Sequence, residues 1–158
     1  MFPEMKRKSK EMTPEDLKKS LLRGEYGTLS MISPFGYPYA VPLNYVYVPE
    51  KNCLYFHSAL SGNKLECLRR EDRVSFALVD SSEVLPADFT SRFSSVILFG
   101  RVRFVDDSQE KEAALFKLVE KYSPGYLEEG RAYITKDLPK TQVLCLEVEF
   151  ASGKANRM

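Results

Sequence analysis

Hydrophobic positions along this chain recur at two periods, one helical and one of strands, and the switches between them mark out the elements. Thr13-Pro14-Glu15-Asp16 reads as a helix start: a hydroxyl N-cap, proline at the first helical position, and acids where the helix dipole favours them. Leu17, Leu21 and Leu22 form the predicted buried stripe, and Gly24 the stop. Residues 26–33 alternate at period two, as a half-buried strand does, and Pro34-Phe35-Gly36-Tyr37 turns the chain. Two β-rich runs follow, 38–47 and 53–59, joined by Pro49-Glu50-Lys51-Asn52. Pro42 sits inside the first run. It cannot donate to a ladder, so it predicts an edge, a bulge or a gap.

After Lys64 the pattern predicts a short helix with Leu65 and Leu68 inward and Arg69 and Arg70 near its end. Residues 73–80 read as a strand, and 81–93, with Pro86 inside, as a loop or frayed extension. The longest predicted strand spans 94–106. Val96, Leu98, Val102 and Phe104 share one face, Arg101 and Arg103 take the other, and Gly100 marks a bulge or a close backbone approach. Ser108 is the expected cap of an amphipathic helix whose apolar face is Ala113, Leu115, Phe116, Leu118 and Val119. Tyr122-Ser123-Pro124-Gly125 ends it, and 126–136 holds a further helical turn. Residues 143–150 alternate again, with Leu144, Leu146, Val148 and Phe150 inward. Strands at short intervals, with helices between and at the ends, predict an α+β fold: an antiparallel barrel with peripheral helices. A basic arm, 1–12, precedes one domain, 13–158.

Composition narrows the function classes. The 158 residues carry a net charge of +1, so the domain shows no overall electrostatic footprint for nucleic acid. A nucleic-acid partner through Lys6, Arg7, Lys8 and Lys10 is the weakest of the readings. No apolar run reaches the length of a membrane span. Cys53, Cys67 and Cys145 lack metal-ligand spacing and an even count, which predicts buried, reduced thiols and a cytoplasmic location. With one histidine in the chain, most metallohydrolase sites are excluded, and no nucleophile elbow or dinucleotide fingerprint is present.

What chemistry the chain does offer gathers after the second β-run. Ser58, Ser61, Gly62, Asn63 and Lys64 combine hydroxyls, a flexible backbone and one cation, a set suited to a phosphate. A helix opening at Gly62-Asn63 would add its N-terminal N–H groups at the same place. Lys64 as a merely solvated lysine is the plain alternative.

The blocks Gly-Tyr-Pro-Tyr-Ala-Val-Pro-Leu-Asn-Tyr (36–45), Tyr-Phe-His-Ser-Ala-x-x-Gly-x-Lys (55–64) and Ser-Ser-Val-Ile-Leu-Phe-Gly (94–100) resemble one known group. They are similar to the flavin-binding split-barrel relatives of pyridoxamine 5′-phosphate oxidase, nearest the nitroimidazole-resistance branch, over roughly residues 13 to 154. The resemblance implies a split β-barrel with FMN at a two-fold homodimer interface. It implies that Val41, Pro42, Leu43 and Asn44 lie along the flavin ring, His57, Ser58 and Ala59 along the ribityl chain, and Gly62, Asn63 and Lys64 at the phosphate. Ser94, Ser95 and Val96 match a further contact block, in which Phe93 stands where many relatives have tyrosine. His57 matches an active-site histidine of the nitroimidazole-resistance branch; a packed or hydrogen-bonded histidine is the rival reading.

The implied activity is FMN-dependent reduction of a small acceptor, nitroaromatics among the candidates. Oxidation of a pyridoxamine-like amine is the second enzyme reading, and the C-terminal Ser-Gly-Lys-Ala-Asn-Arg-Met lacks the arginine-rich substrate motif of those oxidases. A non-catalytic flavin- or haem-binding module is the alternative from another class.

Overall fold

A computed structural model describes residues 1–157. Helix α1 (Pro14–Arg23) leads into strands β1 (Tyr26–Ile32), β2 (Pro38–Asn44), β3 (Val46–Val48) and β4 (Cys53–Ser58). Helix α2 (Asn63–Arg70), the long strands β5 (Arg73–Leu85) and β6 (Thr90–Val105), helices α3 (Ser108–Tyr122) and α4 (Leu127–Asp137) and strand β7 (Gln142–Asn156) complete the chain. All the strands pair antiparallel in one sheet, in the order β2-β1-β5-β6-β7-β4-β3.

The two edge strands, β2 and β3, are separated in sequence by a single residue, Tyr45. The sheet must therefore roll until its edges meet, yet no ladder joins them. Every strand sends side chains to one interior: Leu29 and Met31 from β1, Phe76 and Leu78 from β5, Val96, Leu98 and Val102 from β6, Leu144 and Leu146 from β7, Leu54 and Phe56 from β4. Tyr39, Val41 and Leu43 of β2 and Tyr47 of β3 pack against it. The result is a barrel split at Tyr45. Pro42 falls on an edge strand, where its missing N–H costs no ladder bond.

A second apolar cluster lies outside the barrel wall. Cys53 and Tyr55 of β4 and Val143 and Cys145 of β7 are covered by Ala114, Leu115 and Leu118 of α3 and Ile134 of α4. β4 is thus buried on both faces, which explains its unbroken apolar run. The three cysteines are buried and free. Among the described residues no helix is long and apolar enough to cross a membrane.

Several expectations are corrected. Residues 81–93 are no loop: β5 and β6 stay paired from Ser81↔Ser94 out to Leu85↔Thr90, around a turn at Pro86–Asp88. Ser81, Ser82, Glu83 and Val84 are all exposed, so the extension carries no inward face to leave a pattern. In α1, Leu22 is exposed and Ser20 is buried in its place, its Oγ 3.0 Å from Ser94 Oγ. The cap of α3 is Asp107, whose carboxylate accepts from Glu110 N at 2.8 Å, and Ser108 is the first helical residue. Ala114, not Ala113, faces the core there. The turn expected in 126–136 is the full helix α4.

Gly100 does sit at a bulge. The register shifts between Phe99 and Gly100, and a Cβ at Gly100 would lie 2.1 Å from the Glu147 carbonyl oxygen. Because Phe99 pairs with Phe150 and Gly100 with Val148, Glu149 is the extra residue. It reverses the parity of β7, so Phe150 leaves the interior and joins Phe99 on the outside. The N-terminal arm packs there: Phe2 stacks on Phe99 at 5.6 Å and Phe150 at 5.2 Å, and Met12 N donates to Gly153 O at 2.8 Å.

Candidate functional site

His57 continues the outward row Cys53, Tyr55, His57 on β4, one step beyond the point where α3 and α4 cover the strand. There it meets a cavity of about 510 Å³ between the sheet and the α3–α4 pair. Asn44, the outward-facing last residue of β2, lines the same cavity. The two strand ends border the split in the barrel, so residues from opposite edges of the sheet face one space. The opposite wall is apolar and aromatic: Leu115, Leu118 and Val119 with Tyr122, Tyr126, Tyr133 and Ile134. Gly130 keeps the two helices close, since a Cβ there would lie 2.4 Å from Val119.

Beyond β4 the chain enters α2 through Gly62, whose φ of 138° suits glycine and few other residues. No side chain caps this helix start, so its first-turn N–H groups remain available. Lys64 stands in that first turn. It is half-buried, and burial alone pushes its pKa down; no carboxylate offsets the loss of hydration. A partly desolvated ammonium beside helix N–H groups with no side-chain cap is an arrangement suited to an anion.

His57 is exposed and lines the cavity. Desolvation lowers its pKa, and the charge of Lys64 lowers it further. His57 is therefore neutral at neutral pH and close enough to Lys64 to feel it. Asn44 Nδ2 donates to Glu25 O at 3.0 Å, which fixes the amide. Ser58 Oγ donates to Ala59 O at 3.0 Å, and both residues lie between His57 and the α2 start.

The remaining expected residues divide between the two sides of the wall. Pro42 and Asn44 point outward, while Val41 and Leu43 pack on the interior and can reach an outer ligand only through their backbone. Val96 is buried in the barrel, Ser94 is tied to Ser20 on α1, and Ser95 lies on the outer face beside Lys154. None of the three lines the His57 cavity. Across the outer face, Pro42 lies opposite Thr28, Thr28 opposite Ala77, Ala77 opposite Ile97 and Ile97 opposite Ser152. In this row of small and apolar residues Pro42, Ala77 and Ile97 are exposed, while Thr28 and Ser152 are half-buried and the N-terminal arm lies beside the Ile97–Ser152 end. Sequence reasoning missed the α4 wall altogether. Its tyrosines are largely exposed, so only their clustering over 122–133 could have signalled it.

Residues 13–155 match the family described as pyridoxamine 5′-phosphate oxidase, over most of the chain. The chain belongs to that family. Among solved structures, it is similar to a candidate 5-nitroimidazole antibiotic resistance protein from Bacteroides thetaiotaomicron, with 23% identity, a TM-score of 0.75, and 91% of this chain and 85% of that chain covered. An FAD and haem binding protein from Mycobacterium smegmatis is similar at 22% identity and a TM-score of 0.81, covering 94% and 74%. A flavocytochrome from Azotobacter vinelandii aligns at 22% identity and a TM-score of 0.80, covering 98% and 73%. At these identities the structures establish the shared fold. No curated protein sequence matches the chain.

Proposed function

We propose that this member of the pyridoxamine 5′-phosphate oxidase family is an FMN-dependent oxidoreductase that works as a homodimer and reduces a small acceptor. The observation that carries the reading is Lys64, a half-buried cation without a carboxylate partner at an uncapped helix start, next to His57 at the mouth of an aromatic cavity. The phosphate of FMN fits that combination of donors and charge. Bound flavin supplies the redox chemistry, and the chain's own residues bind and orient it.

In this reading Gly62, Asn63 and Lys64 hold the phosphate, and Ser58 and Ala59 follow the ribityl chain. Pro42 and Asn44 support the polar edge of the ring, with Val41 and Leu43 acting through their backbone. His57 stands between ring and cavity as a neutral hydrogen-bonding group. The row from Pro42 to Ile97 suits a second copy of the chain, and in this reading Ser95, on the same face, serves the partner's site rather than its own. Likeness to a 5-nitroimidazole resistance protein makes nitroaromatics the acceptor class to test first.

A second reading rests on the FAD- and haem-binding relatives: a flavin- or haem-binding module without turnover. His57, the single histidine and a neutral one, is the ligand a haem iron would require. The visible spectrum of the purified protein, followed by identification of the released cofactor, separates these readings. FMN that a reduced nicotinamide reduces and a nitroaromatic reoxidises supports the enzyme. A haem band, or a flavin that no donor reduces, supports the module and removes the enzyme.

A further inference from the structure

We propose that the cavity against α4 binds a small organic cation, a protonated or quaternary amine with an apolar or aromatic body and neither phosphate nor carboxylate. This deepens the oxidoreductase reading by naming the substrate class of the same site, and rests on that reading only for turnover.

The walls carry the argument. Tyr122, Tyr126 and Tyr133 line the cavity together, and an aromatic face attracts a cation through its quadrupole. Two carboxylates, Glu129 and Asp137, line it as well. Asp137 lies near enough to Tyr133 to raise the pKa of its hydroxyl, which puts one ring beside one acid. No lysine or arginine is among the lining residues. The neighbouring cations are engaged elsewhere: Arg131 lies over the Phe116 ring at 3.9 Å, and Lys121 donates to the carbonyls of Gly24 and Tyr45. His57, the one basic residue in the wall, is neutral. An anionic ligand would meet two acids in the lining, with the nearest cations, Lys64 and Lys121, outside it beside His57 and Tyr122. The Tyr122 ring already has the Lys121 ammonium 5.0 Å from its centre, so a ligand cation meets the rings of Tyr126 and Tyr133 and two acids, in a space of about 510 Å³ that is ample for a small aromatic molecule. The phosphate site at Lys64 lies outside this lining, so the cofactor's anion and the substrate's cation have separate seats.

Equilibrium dialysis of the full chain as purified tests the inference with three probes of similar size: 4-nitrobenzyl-trimethylammonium, 4-nitrobenzyl alcohol and 4-nitrobenzoate. The cation is expected to bind about tenfold more tightly than the alcohol, and the benzoate most weakly. Tyr133→Leu, and separately the pair Glu129→Gln with Asp137→Asn, should weaken the cation far more than the alcohol and so erase most of the cation's advantage. Tyr126 and Tyr133 are largely exposed, so these changes spare the core. Equal binding of all three probes, tightest binding of the benzoate, or a cation preference that survives the double variant overturns the proposal. Dialysis needs no electron transfer, so the two readings fail separately. A protein that prefers the cation yet reduces none of the probes overturns the oxidoreductase and sustains the cation site. One that binds and reduces 4-nitrobenzoate as well as the cation does the reverse.

Discussion

The ammonium of Lys121 lies 3.8 Å from the centre of the Tyr45 ring and donates to the Tyr45 carbonyl at 2.9 Å. Tyr45 is the single residue that spans the split in the barrel, so this pair clamps α3 onto the seam. Lys121 also donates to Gly24 O at 2.5 Å, and Tyr122 beside it accepts from Tyr45 N at 3.0 Å. The clamp holds Asn44, and with it one rim of the cavity, in place.

Replacing Lys121 with Met removes its bond to the Gly24 carbonyl and leaves the Tyr45 carbonyl with the Tyr122 hydroxyl at 2.8 Å alone, which should cost about 1–3 kcal/mol at neutral pH in urea unfolding. Burial lowers the Lys121 pKa to about 8. The unfolded chain therefore binds more protons than the folded one from there up to the ordinary value of 10.5. Stability contributed through this group rises with pH across that window. The gap between the parent and Lys121→Met should widen from pH 8 to 10; a constant gap would show that the ammonium is not desolvated.

At Gly100, close approach to the Glu147 carbonyl leaves no room for a side chain. Gly100→Ala should lower stability by about 2–4 kcal/mol, measured as a shift of the urea midpoint. Gly125→Ala meets nothing within 4 Å and serves as the neutral control.

The same glycine shows what was legible in the sequence. Gly100, Pro42 and Gly62 announce a bulge, an edge and a helix entry, because glycine and proline constrain the backbone directly. Most buried alternations, such as Leu144 and Leu146, are read the same way. Phe150 was not, since the extra residue Glu149 reverses the strand's parity and a bulge leaves no period to count. The hairpin over 81–93 pairs through its backbone and an exposed Arg92–Glu83 ion pair, with no inward row to betray it. In the site, Asn44 was visible as a polar group in an apolar run, Lys64 as the cation that ends a polar loop, and His57 as the single histidine. The tyrosine wall of α4 was not, because it comes together only when α4 packs beside α3 across from a strand about seventy residues earlier.

His57 should act as a neutral imidazole. Desolvation lowers its pKa, so the folded protein binds fewer protons than the unfolded chain just below the ordinary value of 6.5. Stability should therefore fall as pH drops through that window, and His57→Gln should flatten this part of the profile. In steady-state assays His57→Gln should retain the flavin and change kcat or KM for the acceptor. Unaltered turnover in the variant would remove His57 from the active site.

The central claim is that Lys64 and the start of α2 hold the cofactor phosphate. Fluorescence titration of cofactor-stripped protein with FMN and with riboflavin, in the parent and in Lys64→Ala, tests it most directly. FMN should bind the parent far more tightly than riboflavin, and Lys64→Ala should weaken FMN by roughly ten- to a hundredfold while barely changing riboflavin or the unfolding midpoint. Equal affinity of the parent for FMN and riboflavin, or an unchanged FMN affinity in Lys64→Ala, would contradict it.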